Sequence, residues 1–440
     1  MISGVIALPL VFVTADESFA LPKTAVMLAI TGVLVAGLAA YAARSFRPLQ
    51  GRPSLIASAF LALALLTLAA TLVSRDPVGS LRGEPHQYQG LGATLSYGVA
   101  FTAAWVALRR PEAFRVVIVA LVATATVVAL YGVLQQLGLD PIWRVLNKGR
   151  IFSTLGQANN LAAYLVLCLP FAIVLAWHSN GRGRVLFASA ALLITVTIAL
   201  TLSRSGYLGA IAVVIALSVL LPMWATARRE LFTGRVGAGL GVAAVLAGTA
   251  MLVGGSRLID PIAARVAVIV DASETSAATR VDLWTVAAHM TVEHPMLGIG
   301  PEMYPRVFRD YRDRVLTPER AEIMKRFRPE SPHNVVLAVA SGSGVPAALA
   351  YLLVVGLALA AAWQGVKSTT GTQRAILAAV IAACVGHVVT DSFMTAEVAG
   401  SWHFWVVLGV AAAAMTRASS GGPESGSSTV QGAHAPRLSF

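Results

Sequence analysis

Apolar sequence of membrane-spanning length recurs from one end of this 440-residue chain to the other, and polar sequence breaks it at length only over residues 254–332. A bilayer accepts backbone whose polar groups are bonded within the spanning element, so repeated apolar runs of about 20 residues require a helix bundle. Such runs fall at residues 2–13, 21–43, 55–73, 91–108, 113–137, 161–177, 185–202, 205–224, 237–253, 334–363, 375–393 and 401–416. With 57% hydrophobic and 12% charged residues, the chain is far from a soluble domain's usual quarter of charged residues. The predicted fold is an all-α polytopic membrane protein of about 12 transmembrane helices with one large helical loop. Four parts follow: N-terminal spans over 1–253, the loop over 254–332, C-terminal spans over 333–416, and a tail over 417–440 whose Ser- and Gly-rich stretch predicts disorder.

The run at 2–13 has no Lys or Arg before it and reads as an uncleaved first span. Orientation follows from the short connections. Arg44, Arg47 and Arg52, then Arg109, Arg110 and Arg115, Arg182 and Arg184, Arg228, Arg229 and Arg235, and finally Lys367 and Arg374 occupy alternate connections, which the positive-inside rule makes cytoplasmic. The intervening ones carry Asp16 and Glu17, Arg75 with Asp76, and Asp391 with Glu397, so the 254–332 loop is predicted to face the periplasm. The net charge of +12 is spread over these boundaries and forms no patch with stacking aromatics, which argues against nucleic acid. Cys168 and Cys384 lie in apolar runs, where they pack as small hydrophobes, and no disulfide or metal framework is indicated.

Chemistry is expected in the loop and above all at its exit, Glu330-Ser331-Pro332-His333-Asn334. Ser331 suits an N-cap and Pro332 the first helical position, which predicts His333 in the first turn of a long span. The positive end of that helix would keep the imidazole neutral and able to take a proton. The plainer reading of an isolated histidine here is a cap at the interface. Upstream, Thr279-Arg280-Val281-Asp282 has capping-box spacing and predicts Arg280 in the first turn of a second helix, followed by Trp284 and Ala288 at helical spacing. The stretch Leu297-Gly298-Ile299-Gly300-Pro301 reads as a tight turn. The segment from Thr317-Pro318 carries Ile323, Met324 and Phe327 on one side, and reads as a surface lid or a solvated helix.

Outside the loop, Arg204 begins a span from the outer side, where a guanidinium either serves a partner or snorkels to the interface. Lys148 and Arg150 precede Gln157, Asn159 and Asn160, amides suited to sugar hydroxyls or to bonds between helices. Arg265 is a further loop candidate. His387 and Asp391 stand one turn apart, as a proton relay or a structural pair.

Ser203-Arg204-Ser205-Gly206, Arg280-x-x-x-Trp284, His294-Pro295-Met296-Leu297-Gly298-Ile299-Gly300 and Pro332-His333-Asn334-x-x-Leu337 together resemble the O-antigen ligase and polymerase superfamily of bacterial inner membranes. The resemblance spans roughly residues 150–344. It implies a glycosyltransferase of GT-C-like architecture without cofactor or metal, with the site facing the periplasm and Arg204, Arg280 and His333 central to it. Outside the cell a glycan donor must be lipid-linked, and the chain has no Asp-x-Asp pair. Bidentate arginines suit the diphosphate of an undecaprenyl-linked O-antigen donor: Arg204 and Arg280 first, Arg265 and Arg150 behind them. His333 would activate a hydroxyl of a lipid A–core acceptor, with Asn159, Asn160 and Asn334 as glycan or supporting contacts. Polymerase and protein O-oligosaccharyltransferase activities stand as alternatives, and a transporter or flippase as the non-enzymatic one.

Overall fold

A computed structural model describes residues 1–15, 17–44, 53–108, 111–143, 150–221 and 275–420, and all their regular elements are helices. In chain order these are α1 (Ile2–Leu10), α2 (Ala20–Arg44), α3 (Pro53–Val73), α4 (Pro77–Arg82), α5 (Leu91–Ala107), α6 (Pro111–Gln136), a 3-10 turn (Ser153–Leu155), α7 (Ala158–His178), α8 (Gly181–Leu200) and α9 (Arg204–Leu220). After 222–274 come α10 (Thr275–Glu293), α11 (Tyr304–Val315), α12 (Pro318–Met324), α13 (Val335–Ser343), α14 (Val345–Ser368), α15 (Gly371–Asp391) and α16 (Val398–Ser420). Seven of the described helices, α2, α3, α6, α7, α8, α14 and α15, are long and apolar enough to cross a membrane, and α5, α9 and Val398–Ala413 of α16 are shorter apolar helices. The expected span at 237–253, Lys148, Arg265 and residues 421–440 lie outside the described residues. The protein is a multi-pass, all-helical membrane protein.

The first apolar run forms a helix of only nine residues, about 14 Å long and half of what a bilayer core needs. Its end is closed by a buried cation: Lys23 Nζ donates to Leu8 O at 3.0 Å and Val11 O at 2.9 Å, supplying partners for carbonyls that a helix terminus leaves open.

Burial identifies the centre of the bundle. Of the most apolar window of α7, 78% is buried, against 6% for α2, so α7 is the axis and α2 faces lipid. Helix α15 packs on α7 and α9, while α16 packs on α5 and α14. The α9–α15 crossing depends on two glycines: a Cβ on Gly209 would meet the Gly386 carbonyl at 2.9 Å, and one on Gly386 would meet that of Gly209 at 3.2 Å. Small residues let backbones approach this closely where lipid gives no hydrophobic drive between helices. Arg204, at the start of α9, and residues 392–395, beyond the end of α15, thereby reach the same end of the bundle.

The apolar run 334–363 is not one span. It breaks at Gly344, φ 89°, ψ 165°, a conformation open to glycine and little else. The break is filled by the 294–301 turn. Ile299 N donates to Ser341 O and Gly300 N to Gly342 O, both at 2.9 Å, and Val345 N donates to Pro295 O at 2.8 Å. The turn thus satisfies the terminal carbonyls of α13 and the first amide of α14, groups that a helix break would otherwise leave unpaired.

Helices α10, α11 and α12 form a second, smaller core of Leu283, Val286, Met290, Tyr304, Phe308, Tyr311 and Met324. Burying each of its larger side chains is worth about 1.5–3 kcal/mol, which holds these helices to one another. Asp282 of α10 pairs with Arg320 of α12 across them. Met324 points into this core and Phe327 stays 42% exposed, so the predicted apolar side of the lid divides between the two.

Candidate active site

The exit of the loop differs in detail from its sequence grammar. Asn334, not Ser331, caps the helix: its Oδ1 accepts from Leu337 N at 3.0 Å while its Nδ2 donates to Ser392 O at 3.2 Å. Both residues are good N-caps. The Asn334 amide also holds the residue after α15, while the Ser331 hydroxyl is engaged by His333 N and Thr395. His333 therefore precedes the helix, with φ 53°. A non-glycine residue in this region costs about 1–3 kcal/mol and persists where the surroundings enforce it, often at functional sites.

Those surroundings are explicit. Ser331 Oγ accepts from His333 N at 3.1 Å and lies 2.8 Å from Thr395 Oγ1, which in turn lies 2.8 Å from His333 Nδ1. One ring nitrogen is thus committed to a hydroxyl, leaving Nε2 for chemistry. Burial first, and the Arg280 charge second, hold the His333 pKa down at about 4. The imidazole is neutral, as expected, but burial and a neighbouring cation are the causes.

Helix α10 begins at Thr275, so Arg280 lies in its second turn rather than its first, and the supposed capping-box acid Asp282 pairs with Arg320 instead. The Arg280 guanidinium sits 6.0 Å from the centroid of Phe393, and Trp284, one turn on, packs against the same ring, also at 6.0 Å. Burial and then the charge of Arg204 lower the Arg280 pKa. Two cations from separate helices are close enough to repel each other.

Arg204 is held at the head of α9 by its neighbours. Ser203 caps the helix, accepting from Gly206 N at 3.3 Å, and its Oγ donates to Asn159 Oδ1 at 2.9 Å. Arg150 closes this network, with Nη2 on Asn159 Oδ1 at 2.9 Å and Nε on Thr201 O at 2.8 Å. Arg150 and Asn159 thus help to hold the helix start, which for Asn159 is the bonding between helices that the sequence allowed beside glycan contact. Asn160 is half-buried in the next position of α7. His387 Nε2 and Asp391 Oδ2 lie 3.1 Å apart within α15, both buried.

Sequence reasoning missed the segment Ser392-Phe393-Met394-Thr395. It contacts Asn334, Arg280, Trp284 and His333. No motif marks it; the available signal was a hydroxyl-rich stretch between two apolar runs on the predicted outer side.

Beside this segment lies a cavity of about 130 Å³, lined among others by Gln87, Glu302, Ser331, Asn334, Asp391 and Thr395. Gln87 Nε2 donates to Glu330 O at 2.9 Å and ties the α4–α5 connection to the loop exit.

Arg204, Arg280 and His333, from three separate elements, are thus gathered at one end of a helical bundle of membrane-spanning helices. Residues 189–352, which include Arg204, Arg280 and His333, match the O-antigen ligase family, and this match supports the O-antigen ligase and polymerase superfamily. The family is one of glycosyltransferase-like enzymes, with a lipid-linked glycan donor and a lipid acceptor. No curated protein matches the chain.

Proposed function

We propose that this protein is an O-antigen ligase: an inverting, metal-independent glycosyltransferase that moves O-antigen from undecaprenyl diphosphate to a sugar hydroxyl of lipid A–core at the periplasmic face of the inner membrane. The observation that carries this reading is the convergence of Arg204, Arg280 and His333 from three separate elements, with Arg280 acting electrostatically on both a cation and the base. A guanidinium pair disfavoured on its own is stabilised by a bound diphosphate, which each arginine can hold by two charge-assisted hydrogen bonds. Polymerase activity, with the same chemistry at the anomeric carbon, is the alternative reading of the same site.

In this mechanism His333 Nε2 takes the proton of the acceptor hydroxyl as its oxygen attacks the anomeric carbon. The bond from that carbon to the diphosphate oxygen breaks, its electron pair leaves with the diphosphate, and the configuration inverts. Arg204 and Arg280 stabilise the charge that develops on the leaving group. The same arginines order the reaction. With the donor absent, Arg280 adds to burial in keeping His333 a weak base; the diphosphate offsets the Arg280 part, so the imidazole gains basicity when there is a donor to attack.

The reading is tested in a strain lacking the protein, which should accumulate lipid-linked polymer beside unsubstituted lipid A–core. A precursor trapped on the cytoplasmic side would instead indicate a flippase.

A further inference from the structure

The hydroxyl pair that holds His333 has two directions. Ser331 Oγ accepts the fixed His333 amide in either case. In one direction His333 Nδ1–H donates to Thr395, Thr395 donates to Ser331, and Ser331 donates into the cavity. In the other, the cavity donates to Ser331, Ser331 to Thr395, and Thr395 to Nδ1, which moves the ring proton to Nε2. Every group is satisfied both ways, so the 2.8 Å contacts alone do not select between them. Only the first direction leaves Nε2 bare, and whatever terminates the chain in the cavity decides.

Glu302 provides that terminus. It lies in the turn after Gly300 with φ 60° and lines the cavity together with Ser331 and Thr395. Amides of Glu84 and Gln89 lie against its carboxyl group, yet its Oε2 is buried and has no hydrogen-bond partner among the described residues. The cavity is mostly apolar, but Gln87, Glu302, Ser331 and Thr395 give its lining polar partners, and it is large enough for water to link Ser331 to this oxygen. We propose that Glu302 is a positioning residue for the histidine base: as a carboxylate, able only to accept, it polarises the Ser331–Thr395 chain towards the cavity and keeps the proton of His333 on Nδ1.

Once protonated, Glu302 becomes a donor, and the chain can reverse and block the base. Burial, reinforced by the charges of Glu84 and Glu330, raises its pKa to about 7, which places the switch near neutrality. The other ionisable groups facing it are Tyr97 from α5 and Asp391 across the cavity, with Glu397 beyond Tyr97 and Arg306 bound to Glu84 at 3.1 Å. Arg306, the cation among these, is engaged by Glu84 and Asp76 rather than by Glu302.

This inference rests on the proposed base role of His333, and one experiment separates the two. Full-length protein in nanodiscs is assayed for kcat against pH, and the His333 ring is observed by ¹⁵N NMR, whose shifts distinguish the Nδ1–H from the Nε2–H tautomer. Wild type should gain rate through a limb near pH 7 and hold the Nδ1–H tautomer above it. Glu302→Gln should lose that limb, lower kcat at pH 8 by about tenfold or more with donor KM unchanged, and show Nε2–H at His333. Thr395→Val should behave alike, and Thr395→Ser, which restores the hydroxyl, should be near wild type. An active wild type with a dead His333→Ala control, but an unaltered limb and tautomer in Glu302→Gln and Thr395→Val, would overturn the role of Glu302 alone. An active His333→Ala would overturn both proposals.

Discussion

Thr395 Oγ1 lies 2.8 Å from His333 Nδ1 although 62 residues separate them, and the contact joins the connection after α15 to the exit of the loop. It turns a histidine in an unfavourable backbone conformation into one with a fixed ring and a single free nitrogen. The neighbouring Phe393 packs beneath Arg280, so one short segment positions both His333 and Arg280.

Arg280→Lys should retain the charge and lose the planar fork. Hydrogen bonds to a charged group contribute about 1.5–3 kcal/mol each, so transfer should fall by roughly 10- to 100-fold while the protein folds normally. Activity of the wild type should persist in a chelator. An active lysine variant, or dependence on a divalent cation, would count against the diphosphate role.

The His333 titration should respond to donor. In the free protein, ¹⁵N NMR should show a midpoint near 4, and a non-reactive polyprenyl diphosphate should raise it by offsetting the Arg280 charge. The sign for stability follows. Because the folded-state pKa is depressed below the ordinary 6.5, the unfolded chain takes up the proton first, and stability falls as pH drops from about 6.5 towards 4. The loss is on the order of 3 kcal/mol, absent in His333→Gln. A midpoint that ignores the diphosphate would remove the electrostatic link between donor and base.

Gly344→Ala should unfold at lower temperature. Its φ of 89° is unfavourable for alanine, at a cost of about 1–3 kcal/mol, and the new Cβ would press on the Met296 carbonyl oxygen. A thermal melt equal to wild type would mean that the 294–301 turn does not hold the break as described.

Much of this arrangement was legible beforehand. The apolar runs reveal the bundle, Arg204 reads as the start of a span, and Arg280 and His333 stand out as polar groups beside apolar helices. What escaped depends on distant chain. The run 334–363 reads as continuous because Gly342, Ser343 and Gly344 are tolerated in a span; the break is imposed by a turn that begins at His294. Ser331 and Asn334 are equally good local caps, and their distant partners, Thr395 and Ser392, show only in the fold. Thr395 and Glu302 belong to no motif, and only the fold brings them to the histidine.

The orientation of the site is open to direct labelling. A cysteine at Arg309, exposed on α11, should react with an impermeant thiol reagent in intact spheroplasts, and one at Thr370, between α14 and α15, should not. Reversed labelling would put the site in the cytoplasm and remove the reason for a lipid-linked donor.

The most direct test of His333 as the base is single-turnover transfer from a defined lipid-linked oligosaccharide to lipid A–core, run with a thermal melt for each variant. His333→Ala should lose on the order of 10²–10⁴-fold in rate while still binding donor through Arg204 and Arg280. His333→Gln, which can meet Thr395 but cannot take the proton, should be nearly as inactive with an ordinary melt. A His333→Gln protein that folds normally and transfers glycan at close to the wild-type rate would contradict the assignment.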